Sequence, residues 1–210
     1  MSGLIGRKVG MSQIFEDNGI AVPVTVLEVG PCPVVEVKST HQHGYSAVQL
    51  AYDPIPGKRL SKARLEHLKT KNVEPHRTLR EFRTDEAFEP GTVLDVSMFQ
   101  IGDRVDVIGK TKGRGFQGVV KRHGYHGGKE THGCKTHAVP GSIGMSATPA
   151  RVLRGKKLPG HMGNHRKTIK NLKVVKVDSD RNLLIVRGAV PGSRNSLVLV
   201  RKTRKVQKKG

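Results

Sequence analysis

Short runs of β-branched and aliphatic residues, broken by glycine, proline and polar turns, recur along most of this 210-residue chain. Ile20 to Val29 (IAVPVTVLEV) predicts a strand and Val34 to Lys38 a second, with Gly30-Pro31 as the turn between them. Ser46 to Tyr52, Val93 to Val96 and Arg104 to Ile108 fit further short strands. Leu172 to Val177 and Leu183 to Arg187 flank Asp178-Ser179-Asp180-Arg181-Asn182, the pattern of a hairpin with a longer loop, and Leu197 to Arg201 supplies a last strand. The pattern weakens between residues 55 and 90. There Ser61 is placed to cap a helix running through Leu68, with Leu60, Leu65 and Leu68 near helical spacing, so a partly helical cover is expected. Many short strands without alternating long helices predict a mainly β chain: a small barrel or sandwich with minor helices.

The strand pattern fails between residues 110 and 170, which hold 12 glycines and too few large apolar residues to build a core. The strands after 171 are too few to form a stable sheet alone, so they are expected to complete the sheet begun before 110. The expected organisation is a discontinuous β body (1–109 with 171–200), a long irregular insertion (110–170) and a C-terminal tail (201–210).

Charge sharpens this division. The chain carries 38 Lys and Arg against 17 Asp and Glu, a net of +21. Residues 110–170 hold 14 of those cations and one acid, Glu130, and the last ten residues add six cations and no acid. The body is left almost neutral. So concentrated an excess repels itself unless a polyanion neutralises it, which points to nucleic acid, with an anionic membrane as the rival. No run of about 20 apolar residues exists to span a bilayer. The stretch Arg201 to Gly210 offers a membrane surface only Val206. Met1 to Lys8 has no long apolar segment of the kind a secretory signal carries. Two cysteines, Cys32 and Cys134, fit a reducing cytoplasm better than a disulfide scaffold.

With eight aromatic residues and no Trp, base stacking cannot be the main grip, so phosphate contacts and shape should dominate. That favours structured RNA over single strands read by sequence; DNA is not expected as a partner. The candidate RNA ligands begin with Lys110, Lys112, Arg114, Lys121, Arg122 and His123. Lys129, His132, Lys135, His137 and Ser142 follow, then Arg151, Arg154, Lys156, Lys157, His161, Arg166 and Lys167. A solvated flexible loop is the plain alternative, and the charge argues against it.

Three motifs hint at other chemistry. Gly113-Arg114-Gly115-Phe116-Gln117-Gly118 matches the dinucleotide pattern G-x-G-x-x-G and precedes a possible helix at Val119 to His123. No acid follows about 20 residues on, however, and no βαβ unit surrounds it. The same backbone amides can instead hold an RNA phosphate. His132-x-Cys134-x-x-His137, near His123 and His126, lacks the paired cysteines usual for zinc. Gly109-Lys110-Thr111 imitates the end of a phosphate-binding loop, but Arg104 stands where its first glycine belongs. No catalytic residues, cofactor or metal are expected. A nucleotide-dependent oxidoreductase and a free-standing RNA chaperone or translational regulator are the rival classes.

The stretch from Phe99 to Arg122, with Asp106, Gly109, Thr111, Gly113-Arg114-Gly115, Gly118 and Arg122, resembles the signature of the ribosomal large-subunit protein three family, bacterial type. The resemblance continues through Gly3 to Met11, Pro140 to Gly144, Thr148-Pro149, Gly155-Lys156-Lys157, Gly160 to Gly163 and Gly188 to Gly192. It implies a translation-protein-type β-barrel with an extension that reaches into ribosomal RNA, in the ribosome and in the cytoplasm. It also implies direct binding of large-subunit RNA, a part in starting subunit assembly, and large-subunit proteins fourteen and nineteen as neighbours. An extension tip near the peptidyl transferase centre would be residues 141–154, including Gly141, Ser142, Ile143, Gly144, Met145, Ser146, Thr148 and Pro149. Some bacterial members carry a methylated Gln after Gly-Ser-Ile-Gly; Met145 stands there, so the resemblance implies that this modification is absent. Ala138 stands where Arg often follows the histidine matched by His137.

Overall fold

The computed structural model describes residues 3–84, 86 and 88–203. In chain order the strands are β1 (Gly3–Phe15), β2 (Ala21–Val29), β3 (Cys32–Lys38), β4 (Ala47–Pro54), β5 (His76–Arg83), β6 (Val93–Leu94) and β7 (Arg104–Lys110). After them come β8 (Phe116–Gln117), β9 (Gly160–His161), β10 (Arg166–Asp178), β11 (Leu183–Arg187) and β12 (Leu197–Lys202). Three short helices join them: α1 (Thr40–His43), α2 (Lys62–Thr70) and α3 (Val119–His123). The tail expected at 201–210 lies outside the described residues from position 204 onward.

Six strands close into a barrel in the order β1-β12-β7-β10-β11-β2, every described pair antiparallel. The chain is therefore mainly β, and strands from both ends of the sequence complete one sheet. Closure removes the exposed edges that invite aggregation. Leu27, Val105, Val107, Val174, Leu184, Val186, Val198 and Val200 fill the interior and are fully buried.

The remaining body strands form a second sheet, β5-β4-β3-β6, so residues 34–38, 46–52 and 93–94 do not belong to the barrel. The Gly30-Pro31 turn accordingly carries the chain from barrel to sheet and does not close a hairpin. Both faces of this sheet are covered. Val34, Val48, Leu50 and Tyr52 join the barrel core, while Val35 and Ala51 pack with Leu68 of α2. Burial on both faces explains why these strands read as continuous apolar runs. Ser61 stands at the N-cap of α2, but its side chain makes no capping hydrogen bond.

Strands β1 and β5 carry no sequence signal. Gly3, Gly6 and Gly10 interrupt β1, and glycine weakens a strand. Packing explains two of them: a Cβ at Gly3 would strike the Val200 carbonyl, and one at Gly6 the Glu28 carbonyl. Five of the eight residues of β5 (HRTLREFR) are charged or histidine, because it is an edge strand that buries only His76 and Phe82.

One compact unit takes the chain up to Lys110 and again from Arg166; the other is Thr111–His165. Strands β7 and β10 are hydrogen-bonded neighbours with Arg166 opposite Lys110, so the inserted unit leaves and re-enters the barrel at adjacent positions. Its ends are held one strand spacing apart, roughly 4.7–4.9 Å, so the insertion leaves the barrel closed.

Candidate RNA interface

The inserted unit, residues 111–165, holds ten Lys and Arg, six His and one acid. Its two arms are stitched antiparallel at the base. Thr111 N–H donates to His165 O at 2.9 Å, Arg114 N–H to Met162 O at 2.9 Å and Met162 N–H to Gly115 O at 2.9 Å, and β8 pairs with β9. Gly163, at φ +73°, is pressed against the Lys112 carbonyl, where a side chain would collide. The glycine motif at 113–118 is thus occupied in strand pairing: the Arg114 amide and the Gly115 carbonyl are already engaged.

Helix α3 spans only five residues. Its Val119 is the one buried apolar residue among the described residues of this unit. Arg122 Nη1 donates to Leu158 O at 2.5 Å, and His123 Nε2 approaches the same oxygen at 3.0 Å. Gly160 lies under the guanidinium; a Cβ there would come within 2.8 Å of Nη1. Arg122 and His123 are consequently half-buried struts joining the two arms, and their cationic edges are less available than the sequence suggests.

Further along, Gly128 N–H donates to His137 O at 3.0 Å, and His137 Nδ1 lies 3.1 Å from Lys129 O. Cys134 turns to Thr136, with Sγ 3.5 Å from its hydroxyl. That contact holds the thiol below its ordinary range. Among the described residues no three His, Cys, Asp or Glu side chains converge as metal ligands. At the far loop Ser142 Oγ donates to Gly144 O at 2.9 Å, which ties its hydroxyl internally. Around it Val139, Ile143, Met145, Val152 and Leu153 are exposed, Met145 by 66%. Apolar side chains left in water beside Arg151 and Arg154 form a surface suited to burial in a partner.

Of the eighteen expected RNA ligands, all but Arg122 and His123 are exposed. Lys110, Arg166 and Lys167 stand on barrel strands β7 and β10 and not in the inserted unit, because β10 begins at Arg166, ahead of the expected 171. The electrostatic contrast is sharp. Arg7 pairs with Glu28, Lys38 with Glu81, Lys71 with Glu36, Arg77 with Asp53, Arg201 with Asp106 and Lys202 with Asp103, all within the body. Among the described residues no Lys or Arg of 111–165 has a carboxylate partner. Sequence reasoning overlooked the exposed apolar residues, because an isolated Val139 or Leu153 reads as unremarkable until its surroundings are known.

Residues 78–183 match the family model described as Ribosomal protein L3. The chain is 50% identical to the large ribosomal subunit protein uL3 of Pelotomaculum thermopropionicum over 98% of either chain. It is 49% identical to the protein of that name from Carboxydothermus hydrogenoformans, covering 95% of this chain and 96% of the relative. A relative from Guillardia theta, named large ribosomal subunit protein uL3c, is 46% identical over 95% of this chain and 98% of its own.

Proposed function

The chain belongs to the ribosomal protein L3 family, as a structural constituent of the large ribosomal subunit in the cytoplasm and not an enzyme, and from that premise we propose that it binds large-subunit ribosomal RNA directly, mainly through residues 110–170. The observation that carries this reading is the contrast in charge pairing. Six body cations are paired with the body's own carboxylates, whereas among the described residues no Lys or Arg of the inserted unit has a carboxylate partner, and all of them but Arg122 are exposed, along with uncovered apolar residues. Phosphates satisfy the first need, and burial among RNA the second.

In this reading the body and the inserted unit together seat the protein early in assembly, beside large-subunit proteins fourteen and nineteen. The loop of residues 141–154 supports the RNA of the peptidyl transferase centre. Gly141, Ser142, Ile143 and Gly144 shape that loop, Met145, Ser146, Thr148 and Pro149 complete it, and Arg151 and Arg154 bind phosphate. None performs chemistry; the loop acts by shaping RNA. Lys112, Arg114, Lys121, Lys129, Lys135, Lys156 and Lys157 contribute salt-sensitive phosphate contacts, with His132, His137 and His161 as hydrogen-bonding partners. Arg122 and His123 act chiefly by holding the arms together.

Deleting residues 141–154 tests the assignment of the loop. The shortened chain is expected to enter the large subunit, while subunit maturation slows or the response to inhibitors of the peptidyl transferase centre changes. Normal maturation with unchanged inhibitor sensitivity would remove the loop from that role.

A further inference from the structure

Residues of the sheet strand β5 and of the barrel strands β7, β10 and β12 line a groove of about 690 Å³. That volume falls within the roughly 300–1,000 Å³ of sites that hold small ligands. The floor is apolar: Ile108, Leu197 and Leu199 line it, and Leu199 stands directly opposite Ile108 in the β12–β7 ladder.

Arg80 from β5 lines the groove with Lys110 and Arg166, and all three are exposed. Lys110 and Arg166 face each other across the β7–β10 ladder. Like charges directly opposite in a sheet are destabilising, and among the described residues neither has a carboxylate to offset the other. The single acid of the lining, Glu81, is already engaged, by Lys38 Nζ at 2.6 Å and the Tyr45 hydroxyl at 2.8 Å. The groove therefore presents uncompensated positive charge beside an apolar floor.

We propose that this groove holds one unstacked nucleotide of RNA, its phosphate between Arg80, Lys110 and Arg166 and its ribose and base against Ile108, Leu197 and Leu199. The proposal rests on the reading that the chain binds large-subunit RNA, and it adds a site on the body separate from the inserted unit. Guanidinium forks match phosphate oxygens in pairs, and an unstacked base offers a flat face to an apolar surface. A phosphate bridging Lys110 and Arg166 turns a repulsive cross-strand pair into a favourable one. With its one lining acid already engaged, the groove suits an anion better than a neutral peptide.

The test uses large subunits purified from cells whose only copy of the protein carries Arg80→Ala, Lys110→Ala or Arg166→Ala, with 2′-hydroxyl reactivity read along the RNA. The same one or two nucleotides should gain reactivity in all three variants, and Arg166→Lys should restore most of the protection. Unchanged reactivity in all three, with the protein present at one copy per subunit, would overturn the proposal. Nucleotides protected by residues 111–165 report the broader RNA-binding reading in the same experiment, so their protection without any change at the groove defeats the groove alone. As a second measurement, a photoreactive phenylalanine at position 196, which lines the groove, should crosslink to RNA; crosslinking to a protein instead would also overturn it.

Discussion

At the scale of single residues, two buried charges hold the body in the form that carries the insertion. Asp106 is only 5% exposed and serves a bulge in β10, where the pairing with β7 slips between Ile169 and Leu172. Asn171 in that bulge, at φ +62°, donates its N–H to Asp106 Oδ1 at 3.0 Å, while Arg104 reaches its carbonyl at 3.3 Å and Arg201 donates to Asp106 Oδ2 at 3.3 Å. Both backbone groups freed by the bulge thus find side-chain partners. Lys8 does similar work at the other end of the barrel, donating from Nζ to the carbonyls of Val190 at 2.8 Å and Gly192 at 3.3 Å. Removing the Asp106 carboxylate strands the Asn171 amide and the Arg201 guanidinium together. Asp106→Ala is expected to cost about 1–3 kcal/mol in denaturant unfolding. Asp106→Asn, which keeps an acceptor for the amide, should cost less. Equal losses for the two substitutions would show that the bulge does not depend on this acceptor.

At the scale of elements, ion pairs tie the second sheet together. Lys71 at the end of α2 holds Glu36 of β3 at 2.8 Å, and Lys38 of β3 holds Glu81 of β5 at 2.6 Å. Hydrogen bonds from these lysines keep both carboxyls below the usual range. A carboxyl depressed in the folded state adds stability that is fully present above its ordinary pKa and is lost as pH falls through the folded value. The melting temperature should therefore decline as pH falls below about 4.5, and Glu36→Gln with Glu81→Gln should flatten that decline. Each pair is partly exposed, so its contribution is under about 1 kcal/mol.

How far these elements could be read from sequence follows from where their partners lie. Strands β2, β7, β11 and β12 were legible because their alternating or continuous Val, Ile and Leu runs record burial directly. Strand β1 was not, because the close approach that demands Gly3 and Gly6 comes from residues far along the chain, Val200 and Glu28. Strand β5 was hidden by its arginines, which an edge position tolerates. The same logic divides the candidate interface. Its charge was plain in the composition, but the use of Arg122 and His123 as struts depends on Leu158, 36 and 35 residues away, a pairing that no local pattern encodes.

At the scale of the whole molecule, body and insertion divide the work: six ion pairs lie within the body, while among the described residues no Lys or Arg of the insertion has a carboxylate partner. Lys110 ends β7 and Arg166 begins the neighbouring β10, so none of the barrel's strand pairings runs through the insertion. A chain in which a two-residue Asn-Gly turn replaces 111–165 should fold with its barrel intact, since such turns suit antiparallel neighbours. It should lose the greater part of its hold on RNA, keeping only what the body supplies. The role of the insertion in holding RNA can be measured by comparing this chain with the full-length protein in a sucrose gradient of cell lysate at about 0.5 M salt, where ordinary phosphate contacts weaken steeply. The full-length protein should stay with the large subunit at one copy per particle while the shortened chain shifts toward the top of the gradient. Equal retention of the two, or release of the full-length protein, would mean that the insertion is not the main hold on RNA.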